Sequence, residues 1–252
     1  MQGRAYQVLS ISSPLLFLLA WELLVRTGVL DERYVPPPTR VLQVLGELLA
    51  SGELLVHLGA SLRRIMLGFL LGAGLGVVLG LLMGWFKWIR VFFKPIIAIT
   101  FPIPKIALLP LLLILFGIGE TSKVVLVAIP VFFLVLITTM DGVLEIDPVL
   151  IQAGQNYGAT GWKLFLNVIL PASLPAIFTG LRLALGVSLL VIVAAEFVAA
   201  HEGLGQLIWT SWTTLAVGNM YAGLVVIAAL GLLFSSGLEY VERMIMPWAN
   251  KR

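Results

Sequence analysis

Apolar residues occupy this chain in long, almost uncharged stretches separated by short polar clusters. Uncharged runs cover Ala5–Trp21, Ile65–Phe86, Val124–Met140, Leu164–Leu181 and Gly203–Leu238. A helix that crosses roughly 30 Å of hydrocarbon needs about 20 mostly apolar residues, and these runs are long enough. The pattern predicts an all-α, polytopic membrane protein with about six transmembrane helices. Their expected positions are about Val8–Val25, Leu62–Phe86, Lys94–Gly119, Lys123–Met140, Pro171–Ala199 and Asn219–Tyr240.

The segments differ in texture. After the first span, GVLDERYVPPPTR holds three consecutive prolines and cannot be helical there. Val41, Leu42, Leu45, Leu48 and Leu49 then recur at helical spacing, with Gln43 and Glu47 opposite. That predicts an amphipathic helix lying along the outer membrane face. In the second span Gly72, Gly76 and Gly80 repeat every four residues, a stripe that lets neighbouring backbones approach closely. The third is punctuated by Pro95, Pro102, Pro104 and Pro110, with Lys105 among them. Arg182 and Glu196 lie inside the fifth. An ionisable residue within a span is costly and generally functional. Glu196 is therefore a candidate for the translocation path or its gate, or for a carboxylate bonded to neighbouring backbone. Lys105 is a candidate for attracting an anionic solute, or for reaching a headgroup with its amine.

Composition agrees with a bilayer solvent: 60% of residues are hydrophobic and 12% charged, about half the charge of a soluble domain. The net charge of +3 comes from basic residues scattered among the spans, which points to loop topology rather than nucleic acid. WFKWIRVFFK carries three basic residues, whereas His201–Gly218 carries none. Short loops rich in Lys and Arg face the cytoplasm, so both termini are expected inside. The chain has no cysteine, which excludes disulfides and thiol chemistry. His57 and His201 form no zinc motif, and neither a G-x-S-x-G elbow nor a phosphate-binding G-x-x-x-x-G-K-S/T loop occurs. No catalytic residue, metal site or cofactor is expected, and any ATP must be bound by a partner.

Between two apolar runs lies QAGQNYGATGWKLFLNVILP, Gln152–Pro171, with three glycines, two asparagines and two glutamines. Asp147 followed by Pro148 predicts a helix start, and Gly158 a stop where glycine accepts positive φ. Val149, Leu150, Ala153 and Tyr157 share one face. Thr160 is placed to cap a second helix that Pro171 kinks or restarts. So short a first helix is marginal alone in water and needs a docking surface.

Ala153, Gly154, Gly158, Ile169, Leu170 and Pro171 resemble the cytoplasmic loop motif of the transmembrane permease subunits of ABC importers, E-A-A, then glycine, then I-x-L-P. Gln152 stands at the glutamate position and Gly154 at the second alanine. YVPPPTRVL, LLPLLLILFGIGETSK, ILPASLPAIFTGLRLALG and AAEFVAAHEGLG are similar to the nitrate/sulfonate/taurine branch of this binding-protein-dependent family. The resemblance implies a type I importer permease of MetI-like fold. Residues 1–60 would form an N-terminal span plus an external amphipathic segment. Residues 61–252 would form a five-helix core, with a cytoplasmic coupling loop at about 142–170. It implies that Gln152, Ala153, Gly154, Tyr157, Gly158, Ala159, Leu170 and Pro171 belong to an ATPase-coupling loop. The implied partners are a dimer of ATP-binding subunits, an extracytoplasmic solute-binding protein, a second copy of this chain and membrane lipid. The setting is a bacterial or archaeal cell membrane, and the cargo a small, anionic organic solute. A self-sufficient secondary transporter or channel is the alternative; it would show an internal repeat with paired broken helices, which is not found.

Overall fold

The computed structural model describes residues 2–248, with side chains from residue 12 onward, and all regular structure among them is helical. In chain order the helices are α1 (Gln2–Arg26), α2 (Pro38–Ala50), α3 (Glu53–Trp85), α4 (Lys87–Thr100), α5 (Leu109–Phe116) and α6 (Glu120–Leu144). Then follow α7 (Pro148–Asn156), α8 (Gly161–Leu164), α9 (Leu170–Ala199), α10 (Leu204–Thr213) and α11 (Val217–Ile245). A π-helical turn, Phe165–Ile169, joins α8 to α9 without a break. There Leu170 N–H reaches back to the Phe165 carbonyl. The wider turn accommodates Pro171, which has no N–H to give.

Among the described residues four helical stretches are long and apolar enough to cross a membrane: α3, α6, Gly161–Ala199 and α11. The α4 and α5 segments, bent 86° at a short break, raise this to five if they form one span. Six were expected. The expected first span falls on α1, part of which lies outside the residues whose side chains are described. The break in the third span falls at Phe101–Pro104, among the prolines that punctuate it.

The core is built on α3 and α6. Gly68, Gly72, Gly76, Gly80 and Gly84 all face α6, extending the expected stripe by one residue at each end. A Cβ on Gly68 would lie 2.7 Å from Val127 Cβ, and one on Gly80 2.7 Å from the Leu136 carbonyl oxygen. The stripe is a packing surface. α9 packs on the other side of α6, with Gly180 against Thr138 and Gly142 against Ala176. Val127, Val131, Val135, Ala184 and Ile192 are fully buried between these helices.

At one end of the bundle, α1 and α2 are tied by Glu22. Its carboxylate accepts from Arg26 Nε at 2.6 Å and from Thr39 N and Oγ1 at 3.1 and 2.9 Å. It thereby caps the first turn of α2, where Pro37 supplies no side-chain cap. The buried face of α2 is Val41, Val44 and Leu48; of the expected stripe Val41 and Leu48 are buried and Leu45 half-buried, while Leu42 and Leu49 point outward. In the turn before α2, hydrogen bonds from the Arg33 side chain hold Asp31 below the usual carboxylate range.

Candidate functional site

The end of the bundle where α6 gives way to α9 carries the elbow that the sequence singled out. Asp147 Oδ1 accepts from Val149 N at 2.8 Å and Pro148 occupies the first helical position, so α7 starts where expected. It ends in a two-bond C-terminal cap. Gly158 N donates to the Gln155 carbonyl at 2.9 Å and Ala159 N to the Gly154 carbonyl at 3.0 Å, with Gly158 at φ 81°. That is the Schellman arrangement, which needs a left-handed residue at this position. Thr160 does begin α8, but its side chain makes no capping bond.

No residue of α7 is buried. It rests on the bundle through Ile151, which packs among Val143, Ile146, Phe165 and Ile169, and through Gly154. A Cβ on Gly154 would come within 2.7 Å of Val168 Cγ2 and 3.1 Å of Leu164 Cδ1. A methyl group at this position would have to displace the Val168 side chain, so glycine lets α7 seat closely on the π turn. The opposite face carries Leu150 and Ala153, both exposed, and ends at Tyr157, which is 93% exposed. Gln152 and Gly158 are exposed, Ala159 half-buried, and Leu170 and Pro171 are half-buried at the start of α9. Trp162 stacks on Phe165 at 4.9 Å and Trp85 meets the same ring edge-on at 5.8 Å, so the elbow is braced by aromatic contacts to α3. The result is an uncharged, rigidly held knob standing clear of the bundle.

The two ionisable candidates lie elsewhere and do not meet. Lys105 Nζ donates to the carbonyls of Thr100 and Phe101 at 2.7 and 2.8 Å and sits 4.5 Å from the centre of the Phe133 ring. It satisfies the carbonyls that α4 leaves open where it breaks, and the ring receives the charge.

Glu196 is fully buried at the far end of α9 from the elbow. It accepts from Arg64 Nη1 at 2.7 Å, from Ser61 Oγ at 2.8 Å and from Gly205 N at 2.9 Å. Its partners are one backbone N–H and two side chains of α3. Arg64 is 3% exposed. Its Nε and Nη2 grip Glu120 at 2.8 and 2.6 Å, and Nη1 also reaches the Glu202 carbonyl at 2.6 Å. Ser61 Oγ accepts from Leu204 N at 2.8 Å, and Gly203 N donates to His57 Nδ1 at 3.0 Å. The cluster joins α3, α6, α9 and α10. Sequence reasoning missed it because its partners are 132 and 56 residues apart along the chain. The available signal was a pair of opposite charges bordering or interrupting apolar runs. Arg182, inside α9, pairs with Glu242 of α11.

Comparison with known proteins agrees with this geometry. Residues 72–247 match the family model described as binding-protein-dependent transport system inner membrane component. The taurine transport system permease protein of Escherichia coli is 37% identical over 245 residues, covering 95% of this chain and 89% of that protein. The formylaminopyrimidine transport permease protein of Halalkalibacterium halodurans is 29% identical, covering 99% of each. Among solved structures, the MetNI methionine ABC transporter in an inward-facing conformation superposes with a TM-score of 0.63 at 22% identity, over 74% of this chain and 93% of the other. An amino acid ABC transporter with histidines gives 0.57 at 19% identity, over 79% and 95%.

Proposed function

Because this chain belongs to the family of inner membrane components of binding-protein-dependent transport systems, in its nitrate/sulfonate/taurine branch, we propose that α7 is the fitting through which a separate ATPase drives it. The chain is the permease subunit of an ABC importer, and ATP hydrolysis resides in a partner subunit. The finer reading is a complex of two copies of this chain and two ATP-binding subunits, with a solute-binding protein delivering cargo from outside. The cargo is a small organic anion of the sulfonate type, in keeping with the taurine relative. Both termini face the cytoplasm and α1 supplies the sixth span.

One observation carries the assignment of α7. It is a nine-residue helix with no buried residue, capped at both ends and wedged on Val168 through Gly154. An isolated helix of that length is not stable in water, and here the caps and the wedge hold it while its apolar face stays free. Its seat is shared by the end of α6, through Val143 and the adjoining Ile146, and by the π turn that leads into α9, through Phe165 and Ile169. A push on Tyr157 and Leu150 therefore reaches both helices at once. Nucleotide binding that favours one state of the ATPase would shift the permease between inward- and outward-facing states in the manner of any differential ligand.

A second copy fits the open side of the bundle. The most apolar window of α11 is 17% buried, against 44% in α3, α6 and α9. Between α9 and α11 runs a groove of about 730 Å³ lined by Leu183, Gly186, Leu190, Phe197, Ile227 and Gly231. Glu196 and Lys105 act on the path through the helices they hold, not by touching solute.

The test is reconstitution with the ATP-binding subunits. Gly158→Trp puts a side chain on a backbone at φ 81° in open space, so it should distort the cap and obstruct the docking face. The expected result is an assembled complex that hydrolyses ATP without uptake. Normal uptake by that variant would count against the coupling role. If the wild-type chain instead transports alone on an ion gradient and brings down no ATPase, the self-sufficient reading is correct.

A further inference from the structure

We infer that the Arg64–Glu196 cluster is a permanent weld: it carries α10 together with α3, α6 and α9 through the whole transport cycle, with Arg64 as the residue that positions α10. The inference rests on the importer reading and gives its far end a defined mechanical role. On this inference Glu196 neither opens to solute nor relays a proton.

The donor count comes first. A guanidinium has five N–H groups, and four contacts are made: two to Glu120, one to Glu196 and one to the Glu202 carbonyl. Glu196 in turn receives Arg64, Ser61 and Gly205. Ser61 accepts the N–H at the start of α10 while donating to Glu196, so one hydroxyl bridges α3, α9 and α10. Opening the outer end at this point would strip several charge-assisted bonds at once, and each charge left behind in a low-dielectric site is costly.

Space comes next. The Ala200–Gly203 turn wraps the carboxylate so tightly that a Cβ on Gly203 would land on the Glu196 carboxyl group. A Cβ on Gly205 would lie 2.8 Å from Glu196 Cβ. Gly203 also holds φ 134°, a conformation open only to glycine. The carboxylate itself is fully buried. The remaining charged or titratable neighbours are spoken for as well. Arg63 pairs with Glu120 at 2.9 Å, Lys123 Nζ holds the Ile118 and Gly119 carbonyls at 3.1 and 3.0 Å, and His57 takes the Gly203 N–H. Along its length α3 is already locked to α6 by the glycine stripe. The cluster extends that lock to α9 and α10.

A gate would have to separate these helices in each cycle, and the weld requires that they never separate. Because the chain has no native cysteine, the two can be told apart by a covalent tie. His57→Cys and Glu202→Cys, joined by a short bismaleimide, bind α3 to the α9–α10 turn in the complete complex in proteoliposomes. The probes are taurine and a short alkanesulfonate presented with the solute-binding protein, and the unlinked double variant is the reference. Linking should leave ATP-driven uptake as it was. Loss of uptake on linking, with ATP hydrolysis continuing, would overturn the weld. If the wild-type complex shows no ATP-driven uptake or hydrolysis, it is the importer reading that fails. Two further variants sharpen the outcome. Arg64→Lys keeps a charge but cannot bridge four acceptors, so it should lose uptake with α10 unprotected in hydrogen exchange; full uptake by this variant would contradict the positioning role. Glu196→Gln should leave the pH profile of the remaining uptake unchanged, and a shifted profile would mean that the carboxylate exchanges a proton after all.

Discussion

The two ends of this bundle solve opposite problems. At the elbow, α7 is uncharged, has no buried residue and is held by caps, by Ile151 and by one close glycine contact. At the far end, Arg64 and Glu196 are charged, buried and held by each other and by four helices. On the proposed reading, the elbow keeps its surface free for the ATPase to sit on. The cluster hides its charges because nothing else should reach them. The same contrast recurs in two C-terminal caps. α7 ends with Gly158 at φ 81°, whereas α10 ends with Leu215 at φ 56°. Leu215 N donates to the Trp212 carbonyl at 3.2 Å and Ala216 N to the Ser211 carbonyl at 2.8 Å, the same two-bond pattern. One cap uses the residue that fits; the other tolerates local strain in a leucine that is 79% exposed.

The largest expected effect is at the buried end. Arg64→Met leaves Glu196 without its cation and should cost about 3–5 kcal/mol, read as a large fall in thermal midpoint of the detergent-solubilised chain. Tyr157→Ala should leave that midpoint within about 0.5 kcal/mol of the parent while weakening association with the ATPase. Equal effects of the two would erase the distinction between the ends. Gly72→Leu comes next. Its side chain would run into the Ala128 carbonyl and Val131, and over-packing should cost about 1–3 kcal/mol, checked by the same unfolding assay. Asp147→Ala removes the cap of α7 and should cost about 1 kcal/mol. That loss is local, so it should show in amide exchange of α7 and not in the global midpoint. One effect is a gain: Leu215→Gly relieves the left-handed leucine and should stabilise by up to about 1 kcal/mol. The reverse exchange, Gly158→Leu, should lose a similar amount.

Much of the architecture could be read from residue order alone. Hydropathy located α6, α9 and α11 because lipid and core select the same apolar residues. It did not locate helix ends: α3 begins at Glu53, well before the expected Leu62, and His57 and Ser61 on this extension bind polar groups of the α9–α10 turn and of Glu196. α10 falls within His201–Gly218, which the sequence presents as a loop, since ten residues cannot span a bilayer. The elbow was legible because its signals are local: Asp147 beside Pro148, and Gly158 at the stop. The cluster was not, because Ser61, Arg64, Glu120 and Glu196 come together only through tertiary packing. No pattern within a span names the partner of a charge.

The central claim is that α7 is seated by a motor on the cytoplasmic side. Since the chain lacks cysteine, Tyr157→Cys provides a single reporter at the tip of the elbow. A membrane-impermeant maleimide should label it in inside-out vesicles and not in intact cells, and bound ATP-binding subunits should shield it. Labelling from the outside of intact cells, or equal labelling with and without those subunits, would contradict the account.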